Sequence, residues 1–148
     1  SALSPVFSGS MPFGYSKFSK VIIGDNVSTI GAAAFCSCTS ITSITLGSHI
    51  TSIEAAAFRD CNITSITIPE SVTSIGYGVF YDCASLVNVF CKATTPPSID
   101  KGDVPNWEAF KNNVQGRKIY VPSQSVDIYK IADGWNEYAE NIVPYDFE

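Results

Sequence analysis

At 148 residues, 45% of them apolar, the chain has the length of one domain and enough apolar side chains to build a core. Its net charge of −5, with nine Lys and Arg scattered along the sequence, excludes the basic footprint of a nucleic-acid binder. No apolar run approaches the roughly 18 to 20 residues that carry a helix across a bilayer, so no membrane insertion is expected. The chain starts at Ser1 without Met or an apolar leader, and reads as a processed or trimmed piece of a longer protein whose signal peptide has been removed.

In chain order, Val6-Phe7-Ser-Gly-Ser10 looks like a worn copy of a mark that becomes regular further on. Phe35-Cys-Ser-Cys38 recurs as Phe58-Arg-Asp-Cys61 after 23 residues and as Phe80-Tyr-Asp-Cys83 after a further 22. Between the marks, Ile41, Ile44, Leu46, Ile50, Ile53 and Ala57 match Ile63, Ile66, Ile68, Val72, Ile75 and Val79, with one residue lost between Cys61 and Ile63. Val21, Ile23, Val27, Ile30, Ala34 and Phe35 fit the same frame. A period of 22 to 23 residues falls in the leucine-rich-repeat range and below that of helical pairs.

Within a unit, Ile63-Thr-Ser-Ile-Thr-Ile68 alternates apolar and polar residues and predicts a strand, stopped by Pro69 or by Gly47 or Gly24 in its place. A second short extended piece follows at 51–53 and 73–75, and then a tight turn or a single helical turn up to the next Phe. A single coil buries too little apolar surface to offset the entropy of ordering its backbone, so the coils must stack. The expected fold is a repeat solenoid of right-handed coils with a parallel β-sheet face, short turns opposite and a short C-terminal helical cap.

Residues 1–17 are expected to form a worn first coil or N-terminal edge, and 18–91 the regular repeats of a single 1–148 domain. Cys91 is followed by a polar, proline-stiffened stretch, read as an insertion over 92–109. Phe110 restores the mark, with Ile119 and Val121 nine and eleven residues on, so Lys118–Val121 is a last strand within a degenerate final repeat and cap over 110–148. Ser123 or Ser125 is expected to cap a short helix through about Ala132 with Ile128 and Ile131 on one side, after which Trp135, Tyr138 and Ile142 cover the last coil.

The unit Phe-x-x-Cys-x-x-Ile-x-x-Ile-x-Ile-Pro-x-Ser-Val-x-x-Ile-Gly resembles the BspA-type leucine-rich repeat of bacterial surface proteins, closely over about 18 to 91 and weakly in the tail. The resemblance implies a non-enzymatic interaction module, secreted or on the cell surface, that adheres to a protein or glycan on a host or neighbouring cell. Two other readings are a structural spacer without its own ligand and, more remotely, an ice-binding β-solenoid using Ser43/Thr45 and Ser65/Thr67.

Cys38, Cys61 and Cys83 occupy one position in successive coils, about 5 Å apart and pointing the same way, which suits a buried thiol ladder beside the Phe35, Phe58 and Phe80 stack. Cys91 matches inward-facing positions, and Cys36 falls where Arg59 and Tyr81 stand, toward the surface. No metal or other cofactor is expected, although Asp60 and Asp82 align beside the Phe marks and leave a turn calcium site open. His49, the only histidine, has no second ligand or nucleophile set by a motif, and no catalytic residues are expected. Asn26-Val-Ser28 and Asn62-Ile-Thr64 are glycosylation sequons that matter only in a eukaryotic secretory route.

The outward row of the sheet should read Ile22, Thr45, Thr67, Phe90 and Tyr120, and the row beside it Lys20, Ser43, Ser65, Asn88 and Lys118. Two adjacent aromatic rings in mid-sheet are either covered by the insertion or the cap, or serve to anchor a partner.

Overall fold

The structure, a computed structural model, describes residues 19–103 and 108–148 and the backbone of Val6–Phe7. Each coil contributes two strands. A two-residue strand recurs as β1 (Val6–Phe7), β3 (Thr29–Ile30), β5 (Ser52–Ile53), β7 (Ser74–Ile75) and β9 (Ser98–Ile99), which pair in that order into one parallel sheet. The longer strands are β2 (Lys20–Ile22), β4 (Ser43–Thr45), β6 (Ser65–Ile68), β8 (Asn88–Cys91) and β10 (Lys118–Pro122), and they build the broad face.

The broad face is not one continuous sheet. β2 and β4 pair with each other, β6 pairs with β8 and β8 with β10, and β4 and β6 lie side by side without forming a ladder. The break falls at the coil that loses a residue between Cys61 and Ile63.

Inside, Phe35, Phe58, Phe80 and Phe110 stack along the solenoid with centroids 5.5, 5.8 and 5.5 Å apart and planes within 12°. The column ends on Trp135 at 5.8 Å and Tyr138 at 5.4 Å. Coils come into backbone contact beside it: a Cβ on Gly76 would lie 2.3 Å from the Ala55 nitrogen, so only glycine fits there. The residue before each Cys mark is left-handed, with φ near 58° at Ser37, Asp60 and Asp82. Aspartate is among the residues that tolerate that conformation, and the turn leading up to each Phe, which the sequence left as either tight or helical, has its own left-handed residue at Ala33, Ala56 and Gly78.

Several expectations are corrected. Val6–Phe7 pairs with Thr29–Ile30, so it holds the position of the second strand and is not a worn Phe mark. The 92–109 stretch is not all insertion, since Ser98–Ile99 extends the short-strand sheet; the extra residues lie between Ile99 and Phe110, eleven apart where Ile75 and Phe80 are five apart.

The cap helix α1 (Val126–Ile131) starts after Ser125, but no serine side chain caps it. Ser125 Oγ donates instead to the Thr94 carbonyl at 2.7 Å, and Ser123 Oγ to Asp146. Ile128 and Ile131 face outward, 45% and 78% exposed, while Tyr129 is buried. Tyr129 wins the inward place because its hydroxyl finds a partner there, donating to the Ala93 carbonyl at 2.7 Å. Trp135 Nε1 donates to the Pro97 carbonyl at 2.7 Å, so three side chains bolt the cap to the 93–97 segment. After the short 3-10 helix Asn136–Asn141, the chain adds β11 (Ile142–Tyr145) beside β10, a strand the sequence did not reveal.

Candidate functional site

The pairing register places the expected rows as read: Ile22 lies opposite Thr45, Thr67 opposite Phe90 and Phe90 opposite Tyr120, with Lys20 opposite Ser43, Ser65 opposite Asn88 and Asn88 opposite Lys118. Ile22 is 65% exposed, and Thr45 and Thr67 are exposed; Phe90, Tyr120, Asn88 and Lys118 are half-buried. Because of the break between β4 and β6, Ile22 and Thr45 sit on a different sheet from Thr67, Phe90 and Tyr120.

Phe90 and Tyr120 stack face to face at 4.7 Å with planes 14° apart. The cap reaches them through β11: Tyr145 stands 5.3 Å from Phe90 and 5.7 Å from Tyr120, its plane turned 71° and 72°. At those distances and angles Tyr145 makes edge-type contacts with both stacked rings, and it is itself 44% exposed. Phe147 follows at 4.8 Å from Tyr145. The result is a four-ring patch on an otherwise hydroxyl-bearing face. Tyr145 and Phe147 escaped the sequence reading because they lie outside the repeat; as the outermost strand of its sheet, β11 tolerates Pro144.

The cysteine column is occupied by hydrogen bonds. The Cys61 thiol donates to the Phe35 carbonyl and the Cys83 thiol to the Phe58 carbonyl, both at 3.1 Å, and Cys38, Cys61, Cys83 and Cys91 are buried. Burial pushes the Cys83 thiol up to about 12 and Cys91 to about 11, and raises Cys61 and Cys38 as well. The next rung is Asn113, whose amide donates to the carbonyls of Phe80 and Cys83 at 2.9 and 3.2 Å. Its place three residues after Phe110 was the available signal. Asn113 also accepts from Arg117 Nε, which holds that buried guanidinium 4.8 Å over the Tyr138 ring.

The remaining polar candidates are engaged by neighbouring coils. Asp60 accepts from Ser37 Oγ and Asp82 from Asn112 Nδ2. Among the described residues, no three His, Cys, Asp or Glu converge as metal ligands. Ser48 Oγ donates to Asp25 Oδ1 at 3.1 Å and lies 3.2 Å from His49 Nδ1. The order Asp–Ser–His puts the hydroxyl in the middle, with its proton on the carboxylate, whereas a nucleophilic serine needs the imidazole between itself and the acid. The Ser48 backbone N–H also donates to Asp25 Oδ1 at 2.9 Å, and this bond together with that from the hydroxyl holds the Asp25 carboxyl below its ordinary value. Among the described residues no helix is long and apolar enough to cross a membrane.

No curated protein matches the chain. Among solved structures it is similar to a leucine-rich cell surface protein from Faecalibacterium prausnitzii, with a TM-score of 0.52 and 21% identity over 77% of this chain. The match spans 38% of that neighbour's length, and at this identity it bears on the fold alone. The family model for the BspA-type leucine-rich repeat region matches residues 9–132 with six copies. With its stacked coils, parallel ladders and matching repeat, the chain belongs to the BspA-type leucine-rich repeat family.

Proposed function

We propose that this chain is a non-enzymatic interaction module of a secreted or cell-surface bacterial protein, binding a protein or glycan on a host or neighbouring cell. The family match supports the setting. The observation that carries the reading is the aromatic patch on the broad face, where Phe90 and Tyr120 stack in mid-sheet under a partly exposed Tyr145. Rings that lose little conformational freedom on binding are efficient anchors, and a partly exposed cluster of them on a sheet face supports a contact region there.

The test is a pull-down against a panel of matrix proteins and glycans with the wild type and a Phe90→Ala/Tyr120→Ala double variant, checked for an unchanged far-ultraviolet spectrum. Removing two anchors should weaken capture of any partner about tenfold or more. Unchanged affinity for an identified partner rejects the patch as the contact. Capture of nothing from the panel leads instead to the spacer reading.

A further inference from the structure

Tyr145 stands where two separate features of the molecule meet. Its ring packs against both rings of the Phe90–Tyr120 stack. It also lines, with Phe147, a cleft of about 430 Å³ in which the acidic residues Glu70, Asp146 and Glu148 outnumber the one basic residue, Lys92. The face of an aromatic ring carries the negative end of its quadrupole, so the rings and the acids present the same sign to a visitor. Ser123 Oγ donates to Asp146 Oδ1 at 2.7 Å and fixes that carboxylate at the lip before any partner arrives.

A guanidinium answers both features at once, lying flat on a ring while its fork of N–H groups meets carboxylate oxygens; an ammonium does the same as a point charge. A neutral sugar could use the ring but gains nothing from the excess of acid, and an acidic partner is repelled. We infer that the partner is a protein segment that brings an arginine or lysine side chain to this lip, with the rest of the segment lying along Phe90 and Tyr120. This rests on the broad face being the binding surface and specifies the chemistry of what binds there.

The experiment titrates the full chain with the peptide acetyl-Gly-Arg-Gly-Arg-Gly-amide, with the same peptide carrying Gln for Arg, and with maltohexaose, following the Tyr145 ring resonances by NMR. The arginine peptide should shift them saturably, with affinity falling as salt rises. A Glu70→Gln/Asp146→Asn variant with unchanged thermal midpoint should lose about two- to fivefold, as for removal of an exposed charge pair. Equal shifts with the glutamine peptide or maltohexaose overturn the inference, as does full affinity in the acid variant. The two readings fail separately. If the Phe90→Ala/Tyr120→Ala variant loses its captured partner while the arginine peptide leaves Tyr145 unmoved, the sheet face stands and the basic partner falls. Peptide binding with capture undiminished in that variant upholds the basic lip and overturns the sheet face.

Discussion

Each of the thiols of Cys61, Cys83 and Cys91 has its proton committed to an oxygen: the carbonyls of Phe35 and Phe58 for the first two, and for Cys91 the hydroxyl oxygen of Tyr129, whose own proton goes to Ala93. Burial makes that proton costly to lose, which is why the Cys83 and Cys91 thiols sit near 12 and 11 against an ordinary 9.0. An unfolded chain therefore ionises these cysteines first as pH rises past 9. Their contribution to stability is complete below pH 9 and is lost between about 9 and 11 to 12. Urea unfolding at a series of pH values should show stability falling in that window by about 1.4 kcal/mol per pH unit for each such thiol, with a smaller slope in Cys83→Ala. A thiol reagent at pH 8 should label half-buried Cys36 alone in the native state and all five cysteines once the chain is denatured; native labelling of Cys61 or Cys83 at the same rate would sink the hydrogen-bonded column. The alignment of the cysteines was legible residue by residue, because one position repeated. Asn113 continues the column with a different donor, and so its role showed only once its amide was seen on the Phe80 and Cys83 carbonyls.

At the scale of elements, the strands that repeat were readable and the cap was not. Ile66 and Ile68 point inward between Ser65 and Thr67 because alternation and burial agree there, coil after coil. The cap has no second copy to compare with, and its helix is too short for periodicity to choose a face. Ile128 and Ile131 have the more apolar side chains, yet Tyr129 goes in, since the coil beneath offers it an unpaired carbonyl at Ala93. The same logic holds Trp135 on Pro97. Trp135→Phe keeps a ring against Phe110 but strands the Pro97 carbonyl, and should cost about 1–3 kcal/mol of unfolding free energy. Tyr129→Phe should cost a similar amount, because it leaves both the Ala93 carbonyl and the Cys91 thiol without a partner. A loss below about 0.5 kcal/mol in both variants, measured by chemical denaturation, would show that these bonds do not hold the cap.

At the scale of the whole molecule, coils that cannot fold alone depend on their neighbours, and the last coil depends on the cap. Deleting 123–148 would strip Trp135 and Tyr138 from Phe110 and bare the edge of β10. The expected outcome is self-association and loss of a single cooperative transition, read by light scattering and thermal unfolding; a monomer with an unchanged midpoint would show that the coils close without it. The period of 22 to 23 residues and the recurring Phe and Cys marks were enough, by themselves, to determine a stacked solenoid with a parallel sheet face and its outward rows, because a repeat imposes the same environment on the same position in every coil. The tertiary structure alone decided where the broad face breaks, which side of the cap helix packs, and that β11 brings Tyr145 across Phe90 and Tyr120. Those outcomes depend on contacts between segments that share no pattern, where hydrogen-bond partners and ring geometry choose among faces that sequence periodicity leaves equivalent.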